Sequence, residues 1–136
     1  MSRVINTDSA GKERTHLTKS IVLAVRELAR QSEIDDKTHD LAAFIALALK
    51  QIDASIDSSV FAWEKRGYWV KADKFRMEWL WAGYLGKKMH DAVIVGDWAT
   101  VAIVSAEVGQ KLGKVQIAEH HRLGTPWVGA YKRLLE

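Results

Sequence analysis

The segment from Tyr68 to Val95 is apolar on two opposite sides when its residues are placed on a helix. One set of residues follows alternating steps of four and three: Tyr68, Ala72, Phe75, Trp79, Ala82, Gly86, Met89 and Val93. This heptad-like seam is suited to packing between antiparallel helices. At about 100° per residue, a second set gathers on roughly the opposite side: Val70, Met77, Trp81, Tyr84 and Leu85. A helix with two apolar faces needs two packing partners, so the chain must supply several helices or a second copy.

The N-terminal region is polar and then becomes helical. Residues 1–14 contain the turn-forming sequence DSAGK, so we expect them to form an extended N-terminal arm. From Thr15 or Thr18 onward, apolar residues recur at helical spacing and predict a first helix that ends near Glu33.

A second helix is predicted after the polar sequence DDKT. Either Asp36 or Thr38 can accept hydrogen bonds from the free amides at its start. A broad apolar stripe then runs from Leu41 to Trp63. We expect Gly67 to end this helix, because the residue just past a helix often needs a positive φ. The alternative is one very long helix with Gly67 inside it, at a cost of about 1 kcal/mol.

The segment after residue 95 has two interpretations. Asp97 is a suitable cap for a fourth helix from residue 98 to about 112, which has helical apolar spacing. The β-branched residues around Gly96 and Asp97 could instead form a hairpin. We favour the helix, because the two flanking segments do not alternate polar with apolar residues.

The C-terminal region predicts one more short helix. Thr125 followed by Pro126 is a favourable helix start, which predicts a helix over residues 125–135. Together these elements predict an all-α protein. We expect an up-down helical bundle of about four main helices plus the short C-terminal helix, in a single domain spanning 1–136.

Composition and charge narrow the function classes. The 136 residues are 48% hydrophobic and 27% charged, which is typical of one globular domain. The net charge of +3 comes from intermixed charges and is too small to indicate nucleic acid as the main partner. The absence of cysteine excludes disulfides and fits a reducing compartment. We see no signal peptide or membrane-spanning run, so we expect a cytoplasmic protein without a membrane partner.

The second apolar face of the third helix is the leading candidate site. Either the C-terminal helix or a second copy must cover it. We expect a homodimer that acts as a non-enzymatic binding or assembly protein, and its tryptophan-rich sequence of six tryptophans favours such contacts. The predicted interface consists of Val70, Met77, Trp81, Tyr84, Leu85, Trp127 and Tyr131.

Two alternative binding functions remain open. A pocket between bundle helices could hold a small apolar or aromatic ligand; its predicted lining is Trp69, Trp79, Trp81, Tyr84 and His90. A basic and aromatic cluster within residues 65–76 could bind nucleic acid weakly, since rings stack on bases and cations hold phosphates. Its cations are Lys65, Arg66, Lys71, Lys74 and Arg76.

No catalytic motif is recognisable, so we expect neither an enzyme nor a cofactor. There is no glycine-rich phosphate loop and no nucleophile motif. Glu13 and His16 form one Glu-x-x-His pair, whereas a di-metal bundle needs two, so we expect no metal. Asp53 and Asp57 lie one helical turn apart and could share an ion, but carboxylates at this spacing are usually solvated.

Overall fold

The fold is all-α, as the sequence predicts. A computed structural model describes residues 7–136, with side chains from residue 10 onward, and no strand occurs in that range. It contains five helices: α1 (Thr7–Ala29), α2 (Asp36–Lys65), α3 (Trp69–Val95), α4 (Trp98–Lys111) and α5 (Ala130–Leu135). Within residues 7–136, none of these helices is long and apolar enough to cross a membrane.

The four long helices form a bundle. Each of them packs against the next along the chain, and α1 also contacts α4, so that the four helices close around one core. The short connections at 30–35, 66–68 and 96–97 make consecutive helices run in opposite directions. The short helix α5 packs on α2. The predicted bundle of four main helices with an additional C-terminal helix is confirmed.

The core is built mainly between α2 and α3. Ile45, Leu49 and Ile52 of α2 are fully buried. The inner seam of α3 faces them through Ala72, Ala82, Gly86, Met89 and Val93, all of which are buried. At Gly86 an added Cβ would lie only 3.0 Å from the Cβ of Leu49. Glycine at this position therefore allows the two helix backbones to approach closely.

The ends of α2 are set by local hydrogen bonds. Its N-cap is Asp35 rather than the predicted Asp36 or Thr38: the Thr38 amide donates to Asp35 Oδ1 at 3.0 Å, and this hydrogen bond lowers the pKa of Asp35. The hydroxyl of Thr38 instead donates to the Glu33 carbonyl at 2.6 Å. At the other end, Gly67 has φ of +81°, so the predicted helix stop is confirmed and the single long helix is wrong.

The sequence between α3 and α4 is a helix–helix corner. Gly96 adopts φ of +72° and its amide donates to the Val93 carbonyl. Asp97 then caps α4, accepting from the Thr100 amide at 3.2 Å and from the Thr100 hydroxyl at 2.6 Å; these bonds lower the pKa of Asp97. The hairpin alternative is wrong, because the β-branched residues on both sides lie inside helices.

The extended N-terminal arm predicted for 1–14 is wrong for residues 7–14, which belong to α1. Residues 1–6 lie outside the described part of the chain. Thr15 and Thr18, the predicted helix starts, donate their hydroxyls to the carbonyls of Gly11 and Thr15, each at 2.9 Å. They therefore bond to the preceding helical turn, as threonines inside helices do, and do not act as caps.

The C-terminal helix is shorter than predicted. Thr125 and Pro126 begin a turn, in which the Val128 amide donates to the Thr125 carbonyl at 3.2 Å, and α5 starts only at Ala130. Gly129 separates the turn from the helix because its φ is +80°. The segment between α4 and α5 is thus irregular over residues 112–129.

Candidate functional site

The second apolar face of α3 lies on the surface of the bundle. Val70, Met77 and Tyr84 are 72%, 69% and 67% exposed. Two further apolar residues, Trp69 and Leu80, are exposed on the same side of the helix. We call the following set the outer stripe: Trp69, Val70, Met77, Leu80, Trp81 and Tyr84. It extends over 15 residue steps, or about 22 Å at 1.5 Å per residue.

The structure removes three predicted residues from this face. Leu85 is 2% exposed and belongs to the core, since at the edge of the face it turns toward the other helices. Trp127 is 5% exposed and also packs in the core cluster. Tyr131 lies on α5, where its ring contacts His39 of α2 at a centroid distance of 4.8 Å. The predicted interface is therefore reduced to Val70, Met77, Trp81 and Tyr84, and Trp69 and Leu80 join it.

The C-terminal helix is held at the beginning of α2. Asp40 accepts hydrogen bonds from the backbone amides of Gly129 and Tyr131, each at 3.0 Å. His39 packs edge-on against both Tyr131 and Trp98, which joins α5 to the start of α4. These contacts place α5 on α2, so it does not cover the outer stripe.

Charged side chains of opposite sign lie on the same face of α3 as the outer stripe. Asp73 falls within the stripe, is exposed, and pairs with Arg76 at 2.8 Å. Lys88 follows the stripe one turn after Tyr84, and its ammonium group lies 5.9 Å from the centre of the Tyr84 ring. An apolar surface with an acid near one end and a base just past the other can pair with a second copy of itself in the antiparallel direction.

The residues of the predicted ligand pocket do not surround one cavity. Trp69 and Tyr84 point outward, whereas Trp79 and Trp81 are partly buried and stack on each other at 6.0 Å. The guanidinium group of Arg14 lies 4.8 Å from the centre of the Phe75 ring and 5.9 Å from that of Trp79. Burial lowers the pKa of Arg14. This cluster joins α1 to α3.

The fifth predicted pocket residue, His90, lines a different groove. This groove lies between α2, α3 and α5 and has a volume of about 570 Å³. His90 Nδ1 lies 3.2 Å from Asp91 Oδ1; this contact and the Lys87 ion pair lower the pKa of Asp91. Asp53 lies in the same groove, beneath Gly83. Burial, and secondly the charge of Asp57, raise the pKa of Asp53.

Most cations of the predicted nucleic-acid cluster contact groups of the protein itself. Arg76 pairs with Asp73 and with Glu64, the latter at 3.5 Å. The ammonium group of Lys71 lies 4.8 Å from the Trp63 ring, and that of Lys65 lies 5.6 Å from the Phe61 ring. Within the described residues, Arg76 is the one cation of this cluster with a carboxylate partner, since Lys65, Arg66, Lys71 and Lys74 make no ion pair. Weak nucleic-acid binding by this cluster therefore stays a prediction.

Among the side chains from residue 10 onward, no cluster of three or more histidine, aspartate or glutamate residues could hold a metal ion. Glu13, of the Glu-x-x-His pair with His16, accepts a hydrogen bond from the side-chain amide of Gln51 at 2.6 Å.

Comparison of the chain with protein-family models, with curated proteins and with solved structures finds no match.

Proposed function

We propose that the protein is a cytoplasmic, non-enzymatic binding or assembly module that forms a homodimer through the outer stripe of α3. The observation that carries this proposal is a largely exposed apolar stripe, with Asp73 near one end, directly opposite the buried seam of the same helix. Exposed apolar surface of this extent is costly in water, and burial against another protein surface removes the cost.

The area of the outer stripe supports a stable contact. A large side chain offers about 150–250 Å² when fully exposed, so the five exposed residues of the stripe contribute roughly 100–150 Å² each, and the partly buried Trp81 contributes less. Together they amount to about 550–800 Å², which approaches the roughly 800 Å² per partner of a standard protein–protein interface. Tryptophan, tyrosine and methionine, all present in the stripe, are enriched in such interfaces.

The charges around the outer stripe favour a second copy as its occupant. In a two-fold dimer, two α3 helices can pack antiparallel with the axis between Leu80 and Trp81. Asp73 and Lys88 both lie between seven and eight residues from that axis, about 11 Å along the helix. Asp73 of one copy is then level with Lys88 of the other, and two such pairs form by symmetry. In this arrangement Met77 of one copy is level with Tyr84 of the other, and the contact is complementary in charge.

Light scattering coupled to size-exclusion chromatography tests the dimer. The chain should elute with twice its mass of 15.3 kDa and dissociate on dilution. The double variant Met77→Glu/Tyr84→Glu should be monomeric at the same concentration, because two carboxylates per copy would be buried. The matched control Ile103→Glu/Val128→Glu changes residues of 57% and 65% exposure outside the stripe and should remain dimeric. Circular dichroism should show equal helix content in all variants.

A charge exchange tests the antiparallel arrangement. Asp73→Lys brings like charges together twice per dimer and should weaken dimerisation about three- to tenfold. Adding Lys88→Asp should restore it, since the two pairs re-form with their charges exchanged. If Ile103→Glu/Val128→Glu disrupts the dimer as strongly as Met77→Glu/Tyr84→Glu does, the proposed surface is wrong. If the double exchange remains as weak as Asp73→Lys alone, the surface stands and the arrangement is wrong.

A small apolar ligand is the second candidate occupant of the same surface. Met77, Leu80, Trp81 and Tyr84 line an open groove of about 760 Å³, which also touches Lys111 of α4. A ligand bound there would contact Trp81 and change its fluorescence. A protein that is monomeric at every concentration, and whose fluorescence responds to an aromatic probe only when Met77 and Tyr84 are intact, would favour this function over dimerisation.

A further inference from the structure

A groove between α1 and the irregular segment 112–129 carries a different kind of surface. It has a volume of about 450 Å³, within the range of small-molecule sites. Nine residues line it: Lys12, Thr15, His16, Lys19, Ile117, Ala118, His121, Arg122 and Leu123. It shares no residue with the outer stripe, so ligand binding in this groove and dimerisation can be tested separately.

Every ionisable side chain that lines this groove is basic. Lys12, His16 and Lys19 are four and three residues apart and share one face of α1. His121 and Arg122 come from the segment after α4, about a hundred residues later in the chain. Lys12, Lys19 and Arg122 place three positive charges around one groove in a chain whose net charge is +3.

Two acidic residues close in sequence to these bases, Glu13 and Glu119, do not neutralise them. Glu13 accepts from the side-chain amide of Gln51 on α2, and Glu119 is exposed outside the groove lining. Within the described side chains, none of the five basic residues has an acidic partner within 4.0 Å. Like charges drawn together without acids repel one another, and an anion placed among them removes that repulsion.

The remaining groups of the groove indicate which kind of anion it can bind. The Leu123 amide donates to His121 Nδ1 at 3.3 Å, so a neutral His121 carries its proton on Nε2, where it can donate. The Thr15 hydroxyl already donates its hydrogen bond to the Gly11 carbonyl, so the hydrogen bonds to a ligand come from the basic side chains. Ile117 and Leu123 are partly buried and add apolar wall to the groove. A ligand with one anionic end and one apolar end matches both parts.

We propose that this groove binds a small organic phosphate, with the phosphate group held by Lys19, Arg122 and His121 and the organic group against Ile117 and Leu123. A phosphate dianion offers several acceptor oxygens to these donors, and its charge suits a site with three permanent cations. Arginine at the site matters for geometry as well as charge, since its planar fork can donate two hydrogen bonds to one phosphate.

Titration of the full-length, ¹⁵N-labelled chain with phenyl phosphate tests the site by NMR. At neutral pH and low salt, amide shifts should move in residues 12–19 and 117–123. Inorganic phosphate should move the same amides but bind more weakly, because it lacks the apolar group. Added salt should weaken both, since the groove is open to solvent.

Charge reversal separates a specific site from general attraction. Lys19→Glu and Arg122→Glu should each weaken phenyl phosphate binding about tenfold, whereas Arg122→Lys should have a smaller effect. The matched control is Lys74→Glu, an exposed lysine of α3 that makes no ion pair and lies outside the groove; it should leave the affinity unchanged.

Three results would overturn the proposal. The first is equal weakening by Lys74→Glu and Lys19→Glu, which would indicate attraction to net charge alone. The second is an absence of shifts in 12–19 and 117–123 at any phenyl phosphate concentration. The third is binding to vesicles containing phosphatidylglycerol without any response to phenyl phosphate, which would indicate a membrane surface as the partner.

Discussion

The close contact between α2 and α3 predicts that Gly86→Ala destabilises the protein, although alanine favours a helix by about 1 kcal/mol over glycine. The new Cβ would lie 3.0 Å from the Cβ of Leu49 and 3.5 Å from the backbone nitrogen of Lys50. Neither atom belongs to a flexible side-chain end, so the two helices must move apart. Overpacking of this kind costs about 1–3 kcal/mol. The net expected loss is about 1 kcal/mol.

Two other helical glycines provide matched controls. At Gly11 of α1, an added Cβ would meet no atom within 4 Å, so Gly11→Ala should stabilise the protein by about 0.5–1 kcal/mol. At Gly83 the three atoms nearest to the Cβ would all belong to the carboxylate of Asp53, at 2.7–3.0 Å. That flexible group can swing toward solvent, and we expect Gly83→Ala to be nearly neutral. The same chemical change is thus expected to give three different results.

Thermal and urea unfolding followed by circular dichroism measures these differences. Gly11→Ala and Gly86→Ala should differ by about 2 kcal/mol, which for a chain of this length corresponds to roughly 8 °C in Tm. All variants must be compared at one protein concentration, because association raises apparent stability. If Gly86→Ala is as stable as Gly11→Ala, the close approach of α2 and α3 does not require a glycine at position 86.

Two further predictions concern aspartates of α2. Burial and the charge of Asp57 raise the pKa of Asp53 above its value in the unfolded chain. The ionised carboxylate therefore destabilises the folded protein at pH values above the folded-state pKa. This destabilisation is absent below the unfolded-state pKa, where the group is protonated in both states. Asp53→Asn should therefore raise the free energy of unfolding by about 0.5 kcal/mol at neutral pH and leave it unchanged in acid. Urea unfolding at both pH values measures this difference. A gain in stability that persists in acid would refute the electrostatic cause. Asp40→Ala removes the acceptor of the Gly129 and Tyr131 amides and should cost about 1–2 kcal/mol, with faster hydrogen exchange at those two amides; unchanged exchange would mean that α5 is held by Trp127 and Leu134 alone.

Helix content and helix order follow from local patterns in the chain. The inner seam of α3 and the stop at Gly67 could be predicted because both depend on residues close in sequence. The same holds for Asp97, whose side chain caps the helix that begins immediately after it. Short connections then restrict how neighbouring helices can pack, and a bundle is the result.

Predictions from the sequence were wrong where a residue is compatible with two local structures. Threonine can cap a helix or bond to the preceding turn, and the sequence near Thr15 does not distinguish between them. Thr125 and Pro126 suit a helix start, but they also suit the turn that precedes Gly129. Leu85 lies at the edge between the two faces of α3, so the positions of the neighbouring helices determine whether it is buried.

The candidate sites depend on contacts between distant parts of the chain. No sequence pattern relates Lys19 to Arg122, because a groove forms between them only after the segment following α4 returns to α1. Likewise, the sequence predicted that Trp127 and Tyr131 could cover the second face of α3. Contacts with Asp40 and His39 hold the C-terminal region on α2 instead.

By itself, the sequence determined that the protein is helical, where most helices end, and that α3 has two apolar faces, since helical periodicity and capping act within a few residues. Only the tertiary structure decided that α5 leaves the second of those faces uncovered, where α5 packs instead, and which basic residues meet. These outcomes depend on packing and electrostatic interactions between segments that are far apart in the chain. Such interactions produce no pattern among residues close in sequence.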